Sequence, residues 1–427
     1  MKRIVNLILL LVLVTPCIPK IGFNNITIYP SEILLLLFII PLIKFNKFKI
    51  QKDLFYIWLL ITISTLYSFV NNIDFGGLMR CIKEIIYIPI LYIAYKQESI
   101  QLKHLSYIFI IASIINLIFL FSQGFNFNSI NIWDKELMST GLSNRYLDLT
   151  SLTIHTLPNG SHGIWGNYCA LILCGTIIAY KWKQINLSLL SVVFIFVCLN
   201  LALSVSREAT ISFFLVCIAF FYSESNIKGK IKIRPKFIVI ASIIIIALIW
   251  LIYKYGEKML IVQKILYTMD SINDTGNESN IQLRINGWIV FFESLAKYPF
   301  MILSGYGYNL ENYSSFLDFA RIKYGNTFVA LPESFFIQNF CYGGFICFLL
   351  GFKFWKHLYE IIKNTREKYM RQISFGLFYA LLFTNTFSGA SIVSDLLYGQ
   401  VLIFIGIIIR MNYYYVNKNN ENIIHYG

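Results

Sequence analysis

Two arginines and one glutamate hold the positions where fixed charge in this chain could do chemistry. Arg207 stands in Ser204-Val205-Ser206-Arg207-Glu208-Ala209, a gap of a few polar residues between two apolar runs. A guanidinium never loses its charge near neutral pH, and its planar fork matches phosphate oxygens bidentately. A helix beginning at that point adds unpaired N–H groups that favour the same anion. The alternative role is a snorkelling arginine that anchors a helix end. Arg284, in Leu283-Arg284-Ile285-Asn286-Gly287-Trp288, is a second cation of the same kind. Glu333 opens an apolar run in Leu331-Pro332-Glu333-Ser334. A carboxylate partly withdrawn from water is suited to general-base work. In the first turn of a helix it also serves as a plain cap and dipole partner.

Neighbouring polar residues complete the set of candidates. Ser206 and Ser334 place hydroxyls beside Arg207 and Glu333, and Trp288 follows Arg284 by four positions. Gly305 and Gly307, in Ser304-Gly305-Tyr306-Gly307-Tyr308, mark a turn. Gly343 and Gly344 suit close helix packing. Arg80 and Glu84 are four apart and can pair on one helical face, or Arg80 can hold a phosphate. Arg145 is a further cation in a polar stretch, and Asn159 and Asn167 lie near a turn and a helix end. His155 and His162 have no companions at metal-ligand spacing, so no metal site is expected. The eight cysteines lie in or beside apolar runs, as small hydrophobes do, which implies neither a disulfide framework nor a metal cluster.

The elements that must position these residues are apolar. Of 427 residues 57% are hydrophobic and only 14% charged, with 36 bases against 22 acids and a net charge of +14. A soluble enzyme could not hide that much apolar surface. A nucleic-acid binder would gather its bases on a solvated face, whereas here they separate apolar runs. Disorder is excluded by the same apolar content. The chain reads as all-α: one polytopic membrane domain over 1–427 with about twelve transmembrane helices, each of about 20 residues. The expected spans are 4–19, 30–44, 54–70, 78–95, 105–122, 164–180, 186–204, 207–222, 237–253, 334–352, 373–388 and 395–411. The first follows Met1-Lys2-Arg3, and Thr15-Pro16-Cys17-Ile18-Pro19 is a poor cleavage pattern, so it is expected to stay as a span.

Charge orients the set. Alternate connections carry Lys2 and Arg3; Lys44, Lys47, Lys49 and Lys52; Lys96 and Lys103; Lys181 and Lys183; then 228–236, 353–371, Arg410 and Lys418. By the positive-inside rule these face the cytoplasm, with both termini. Two long loops then lie outside, 123–163 and 254–333, and loops of that length usually carry function. Within the larger loop, 257–269 and 287–296 show a helical rhythm of apolar residues suited to lying in the membrane interface. No internal repeat or low-complexity segment is present.

The order of these motifs resembles a known family. Ser-x-Ser-Arg-x-Ala at a helix start, Arg-x-x-x-Trp, Pro followed by Gly-x-Gly, then a polar pair opening a span with a glycine about nine residues on, is similar to the O-antigen ligase and Wzy-type polymerase superfamily. The resemblance covers most of the chain, in span number, orientation and placement of the large outer loop. It implies a GT-C-like glycosyltransferase of the bacterial inner membrane, using polyprenyl-diphosphate-linked oligosaccharide with no cofactor, nucleotide sugar or metal. Its implied partners are that lipid-linked glycan, the bilayer, a chain-length regulator and a flippase. It assigns Arg207 and Arg284 to the diphosphate. Arg80, Arg145, Ser206, Trp288, Gly305, Gly307 and Ser334 are the further candidates for substrate binding, and Trp288, Tyr306 and Tyr308 either stack on sugars or anchor the interface. The ligase branch carries a His-Asn pair near the end of the large loop. Glu333-Ser334 stands there in this chain, which favours a polymerase with Glu333 as base. A ligase, or less closely a lipid-linked glycan transporter, is the alternative; against a carrier stands the lack of a two-fold hydropathy repeat.

Overall fold

The computed structural model describes residues 2–15, 21–23, 26–46, 86–87, 89–122, 162–204, 207–225, 280–307, 310–325, 327–328, 332, 334–387 and 398–424. The expected spans 54–70 and 237–253, half of 78–95, nearly all of the loop 123–163 and the interfacial helix 257–269 lie outside them. The described residues are almost wholly helical. In chain order they form α1 (Lys2–Val14), α2 (Pro30–Asn46), α3 (Leu102–Ser122), α4 (His162–Lys181), α5 (Leu187–Ser204) and α6 (Arg207–Ser225). Then follow α7 (Asn280–Lys297), α8 (Met301–Ser304), α9 (Leu310–Ser315), α10 (Asp318–Tyr324), α11 (Phe335–Lys363), α12 (Lys368–Phe387) and α13 (Tyr398–Ile424). Between α1 and α2, the strands β1 (Ile21–Phe23) and β2 (Ile26–Ile28) pair antiparallel with Ile21 opposite Ile28.

Composition makes these helices, and local chemistry sets their ends. The α5 run Leu187 to Ser204 is apolar on every side, as in the core helix of a large protein or a membrane span. Phe194, Ile195, Phe214, Ile218 and Phe221 of α5 and α6 accordingly stand exposed on the protein surface. Helix α2 starts at Pro30, whose missing N–H costs nothing in a first turn. Glu32 Oε2 accepts the Tyr29 N–H at 2.9 Å, one half of a capping box. By length and composition, Phe335–Lys363 and Gly399–Val416 are long and apolar enough to cross a membrane.

The described residues fall into two compact units. One comprises residues 102–276 and 367–380 and contains α3 to α6 with the start of α12. Buried polar pairs tie its helices: Ser106 with Thr176 at 2.8 Å, Asn200 Nδ2 donating to Ser113 Oγ at 3.0 Å, and Ser212 Oγ donating to Asn167 Oδ1 at 3.0 Å. Such pairs hold apolar helices in register where hydrophobic burial alone discriminates poorly. The other unit comprises 1–101, 277–366 and 381–427. In it Arg410 of α13 is buried and donates to the carbonyls of Ala94, Gln97 and Ile100, closing the end of the helical stretch 89–96. Gln400 Nε2 of α13 likewise donates to the Val12 carbonyl of α1.

The expected span 334–352 is corrected by the shape of α11. Gly343 (φ −139°, ψ 27°) and Gly344 (φ 65°, ψ −157°) leave the helical conformation. The limb 335–342 folds back along the limb 345–363. Phe336 and Phe352 would lie about 24 Å apart on a straight helix, yet their ring centroids are 4.7 Å apart. Phe335 meets Trp355 at 5.9 Å, and Phe340 meets Phe348 at 5.6 Å, an antiparallel pairing around the two glycines. Residues 335–352 are therefore a helical hairpin rather than one crossing. The reversal runs through Gly344 at φ 65° and ψ −157°, a conformation that residues with a β-carbon rarely adopt.

Candidate functional site

The large-loop residues that the sequence singled out gather around α7 and this hairpin. Helix α7 buries Gly287, Val290, Phe291, Ser294 and Leu295, a stripe at helical spacing. Of these, Val290, Phe291 and Leu295 pack with Tyr306, Tyr313, Leu317, Ala320 and Cys341 into one core. Ile285, Ile289 and Phe292 form an exposed apolar stripe along the same helix. Arg284 and Trp288 are both half-buried and sit four apart, one turn above the other on one face of α7.

Three sets of polar contacts fix α7. Asn286 Nδ2 donates to the Thr327 carbonyl at 2.8 Å, while Gln282 Nε2 donates to Asn286 Oδ1 at 2.9 Å. The turn of α7 that carries Arg284 thus lies beside Thr327. Near its C-terminal end, Glu293 Oε1 accepts from Lys323 Nζ at 2.7 Å and from Tyr324 OH at 2.8 Å. The lysine hydrogen bond holds the Glu293 carboxyl below its ordinary range, and the same bond raises Lys323 to about 12. In the core, Ser294 Oγ and Tyr306 OH share a hydrogen bond of 2.8 Å, and the Tyr306 and Tyr313 rings meet at 4.9 Å. Burial, with Cys341 and Tyr306 beside it, pushes the Tyr313 phenol above its usual range.

Gly305 and Gly307 receive a packing role. Both have positive φ, 70° and 84°. The Tyr306 N–H donates to the Cys341 carbonyl at 2.6 Å and the Gly307 N–H to the Tyr342 carbonyl at 3.1 Å. The Gly305 N–H closes α8 on the Met301 carbonyl at 2.9 Å. These amides are engaged within the protein, and the segment 305–307 is buried against the hairpin tip. A β-carbon on Gly305 would lie 2.5 Å from the Gly344 nitrogen, and one on Gly344 would lie 2.4 Å from the Leu303 carbonyl oxygen. The two glycine motifs, about forty residues apart, are the halves of one backbone clasp.

Ser334 is buried at the N-cap of α11 with an extended backbone, and its side chain does not close the cap. Its carbonyl accepts the Gln338 N–H at 2.8 Å, starting the helix. Arg207 is the first residue of α6, so a helix N-terminus does begin there; the placement of its side chain is outside the description. Arg80, Arg145, Ser206, Glu333 and Tyr308 lie outside the described residues. Asn167 is taken up by its bond to Ser212 in helix packing. Among the described residues no three His, Cys, Asp or Glu side chains come together to hold a metal ion.

Sequence reasoning missed Glu293, Lys323, Asn286 and the Ser294–Tyr306 pair. Only the Gln282–Asn286 link carried a readable signal, its spacing of four on a helix. The remaining contacts join residues 12 to 41 positions apart and have no local signature. No family model matches the chain, and no curated protein sequence matches it.

Proposed function

We propose that this chain is a polysaccharide polymerase of the bacterial inner membrane. It is a multi-pass GT-C-like protein of about twelve spans with both termini in the cytoplasm. It joins polyprenyl-diphosphate-linked oligosaccharide repeats on the outer face. A hydroxyl of one lipid-linked repeat attacks the anomeric carbon of another. The new glycosidic C–O bond forms as the bond from that carbon to the diphosphate oxygen breaks, and the diphosphate leaves with the electron pair. Glu333 accepts the hydroxyl proton. Arg207 and Arg284 stabilise the charge that gathers on the departing diphosphate, and fixed cations are most effective where charge develops in the transition state. The diphosphate linkage supplies the driving force.

The observation that carries this reading is the Asn286–Thr327 hydrogen bond. It fixes the Arg284 turn of α7 against Thr327, which precedes Glu333 in the chain. The exposed apolar faces of α5 and α6 support the membrane setting.

Deletion of the gene, followed by complementation, tests it. Wild type is expected to restore a polymer ladder on a surface-glycan gel. Arg284→Ala and Arg207→Ala are each expected to lose about two to three orders of magnitude in rate, from about 3–4 kcal/mol of lost stabilisation, and Glu333→Ala is expected to leave single repeat units. Long polymer that stays on its lipid carrier in the deletion strain would instead mark a ligase. A normal ladder from all three variants would remove these residues from the reaction.

A further inference from the structure

The turn between α4 and α5 carries a site that the proposed reaction does not use. An open cleft of about 770 Å³ lies there, within the size range of small-molecule sites. Lys181, Lys183 and Gln184 supply its polar lining, and Ile185 and Leu189 its apolar lining. The backbone shows that Lys183 is placed against local preference. The Gln184 N–H donates to the Ala179 carbonyl at 2.9 Å and the Lys183 N–H to the Tyr180 carbonyl at 3.0 Å, the two bonds of a Schellman motif. Lys183 therefore occupies the left-handed position, at φ 56°, where glycine is the usual residue. Among the described residues it alone has a positive φ without being glycine. Local rules are broken mainly where a side chain is needed for something else.

The chemistry of the lining names the ligand. The Lys181 ammonium lies 4.9 Å from the Tyr369 ring centroid and 5.8 Å from those of Tyr180 and Phe220, so aromatic faces hold one cation in place. Lys183 adds a second. Gln184 Oε1 is shielded from solvent and accepts no hydrogen bond among the described residues, so it suits a hydroxyl donor. Asn186 is already used, its Oδ1 accepting the Leu189 N–H at 2.9 Å to cap α5. Two cations, one free acceptor and an apolar wall fit an amphiphile with a phosphate, a hydroxyl and a hydrocarbon chain. We propose that this cleft binds the head group of an anionic phospholipid whose alcohol carries free hydroxyls. The proposal rests on the membrane reading of α4 and α5, not on the assigned reaction. Basic clefts between membrane helices are known to hold such head groups.

The test uses the full chain in nanodiscs and reads its unfolding temperature. Replacing phosphatidylcholine by phosphatidylglycerol is expected to raise it. Lys183→Gly separates binding from folding, because glycine is the better residue at that φ. The variant is expected to melt higher than wild type in phosphatidylcholine and to lose most of the rise caused by phosphatidylglycerol. Lys356→Gln, at an exposed lysine of α11, is expected to keep that rise. Soluble glycerol 3-phosphate is expected to shift nothing, which separates lipid from free phosphate. The proposal falls if Lys183→Gly keeps the full rise, if Lys356→Gln loses as much, or if glycerol 3-phosphate reproduces the shift. A Lys183→Gly protein that melts lower in phosphatidylcholine also counts against it, since lysine would then serve the fold.

Discussion

Gly344 has a conformation, φ 65° and ψ −157°, that only glycine adopts without strain of about 1–3 kcal/mol. It also faces backbone, not a movable side chain: the Leu303 carbonyl oxygen lies 2.4 Å from where a β-carbon would stand. Gly344→Ala therefore adds a clash to the strain and is expected to cost more than about 3 kcal/mol. Gly305→Ala meets the opposite side of the same clasp and is expected to be equally damaging. Gly325→Ala is the control. Its backbone, φ 59° and ψ −130°, is also one that residues with a β-carbon rarely adopt, but nothing lies within 4 Å of its β-carbon position, so only the strain of about 1–3 kcal/mol is expected, without a clash. Unfolding temperatures of the three purified variants check the order. At this scale the sequence was half legible. Glycine pairs at 305–307 and 343–344 signalled a turn and a close packing contact. That the two motifs meet was not readable, because backbone-to-backbone docking leaves no side-chain complementarity to recognise. The same holds for Glu293 and Lys323, whose pairing joins helices that the sequence does not place side by side.

Helices were the most legible level. Apolar runs announced α2 to α6 to within about three residues, but α1 ends at Val14, before its expected limit of 19, α12 begins at Lys368, before 373, and α13 runs on to Ile424, well past 411. The roles of the charges at their ends were less readable. Arg410 counted as one of the cytoplasmic bases, yet its guanidinium is buried against three carbonyls at the end of the stretch 89–96. A planar fork with five donors is the side chain best able to satisfy several helix-end carbonyls at once. Arg410→Ala would leave these acceptors without that donor in a buried place, at about 1–3 kcal/mol for each unsatisfied group. The expected loss is about 3 kcal/mol or more. Arg410→Lys, with one compact ammonium, should recover only part of it. Thermal unfolding of both variants in one detergent measures the difference. Gln400, bonding from α13 to the Val12 carbonyl of α1, shows the same device with a neutral amide.

The hairpin at Gly343–Gly344 bears on how the whole chain would thread a bilayer. The proposed topology puts the large loop and the connection 353–371 on opposite sides, so it needs one crossing between them. With Phe335 beside Trp355, residues 335–352 make no net passage. The limb 345–363 alone remains, about 28 Å long at 1.5 Å per residue, close to the hydrocarbon thickness. It buries Cys347, Leu350, Gly351, Phe354, Trp355, Leu358 and Ile362 on one face. Phe345, Ile346, Leu349 and Phe352 are exposed, which suits contact with lipid. The cost is that Lys353 and Lys356 lie within this stretch, where their long stems must carry the ammonium groups toward water. The expected outcome is that the connection after α11, at Asn364, is cytoplasmic. A cysteine placed there in a variant lacking the native cysteines should react with a membrane-impermeant maleimide only after the cells are opened. Reaction in intact cells would mean that the hairpin enters and leaves on one side. The lysines of 353–371 would then lie outside, and the chain would cross an odd number of times if the other spans stand. The four bases at and beyond the end of this limb, Lys363, Arg366, Lys368 and Arg371, argue for the crossing, because that many positive charges on the outer side would oppose the bias that orients the other connections.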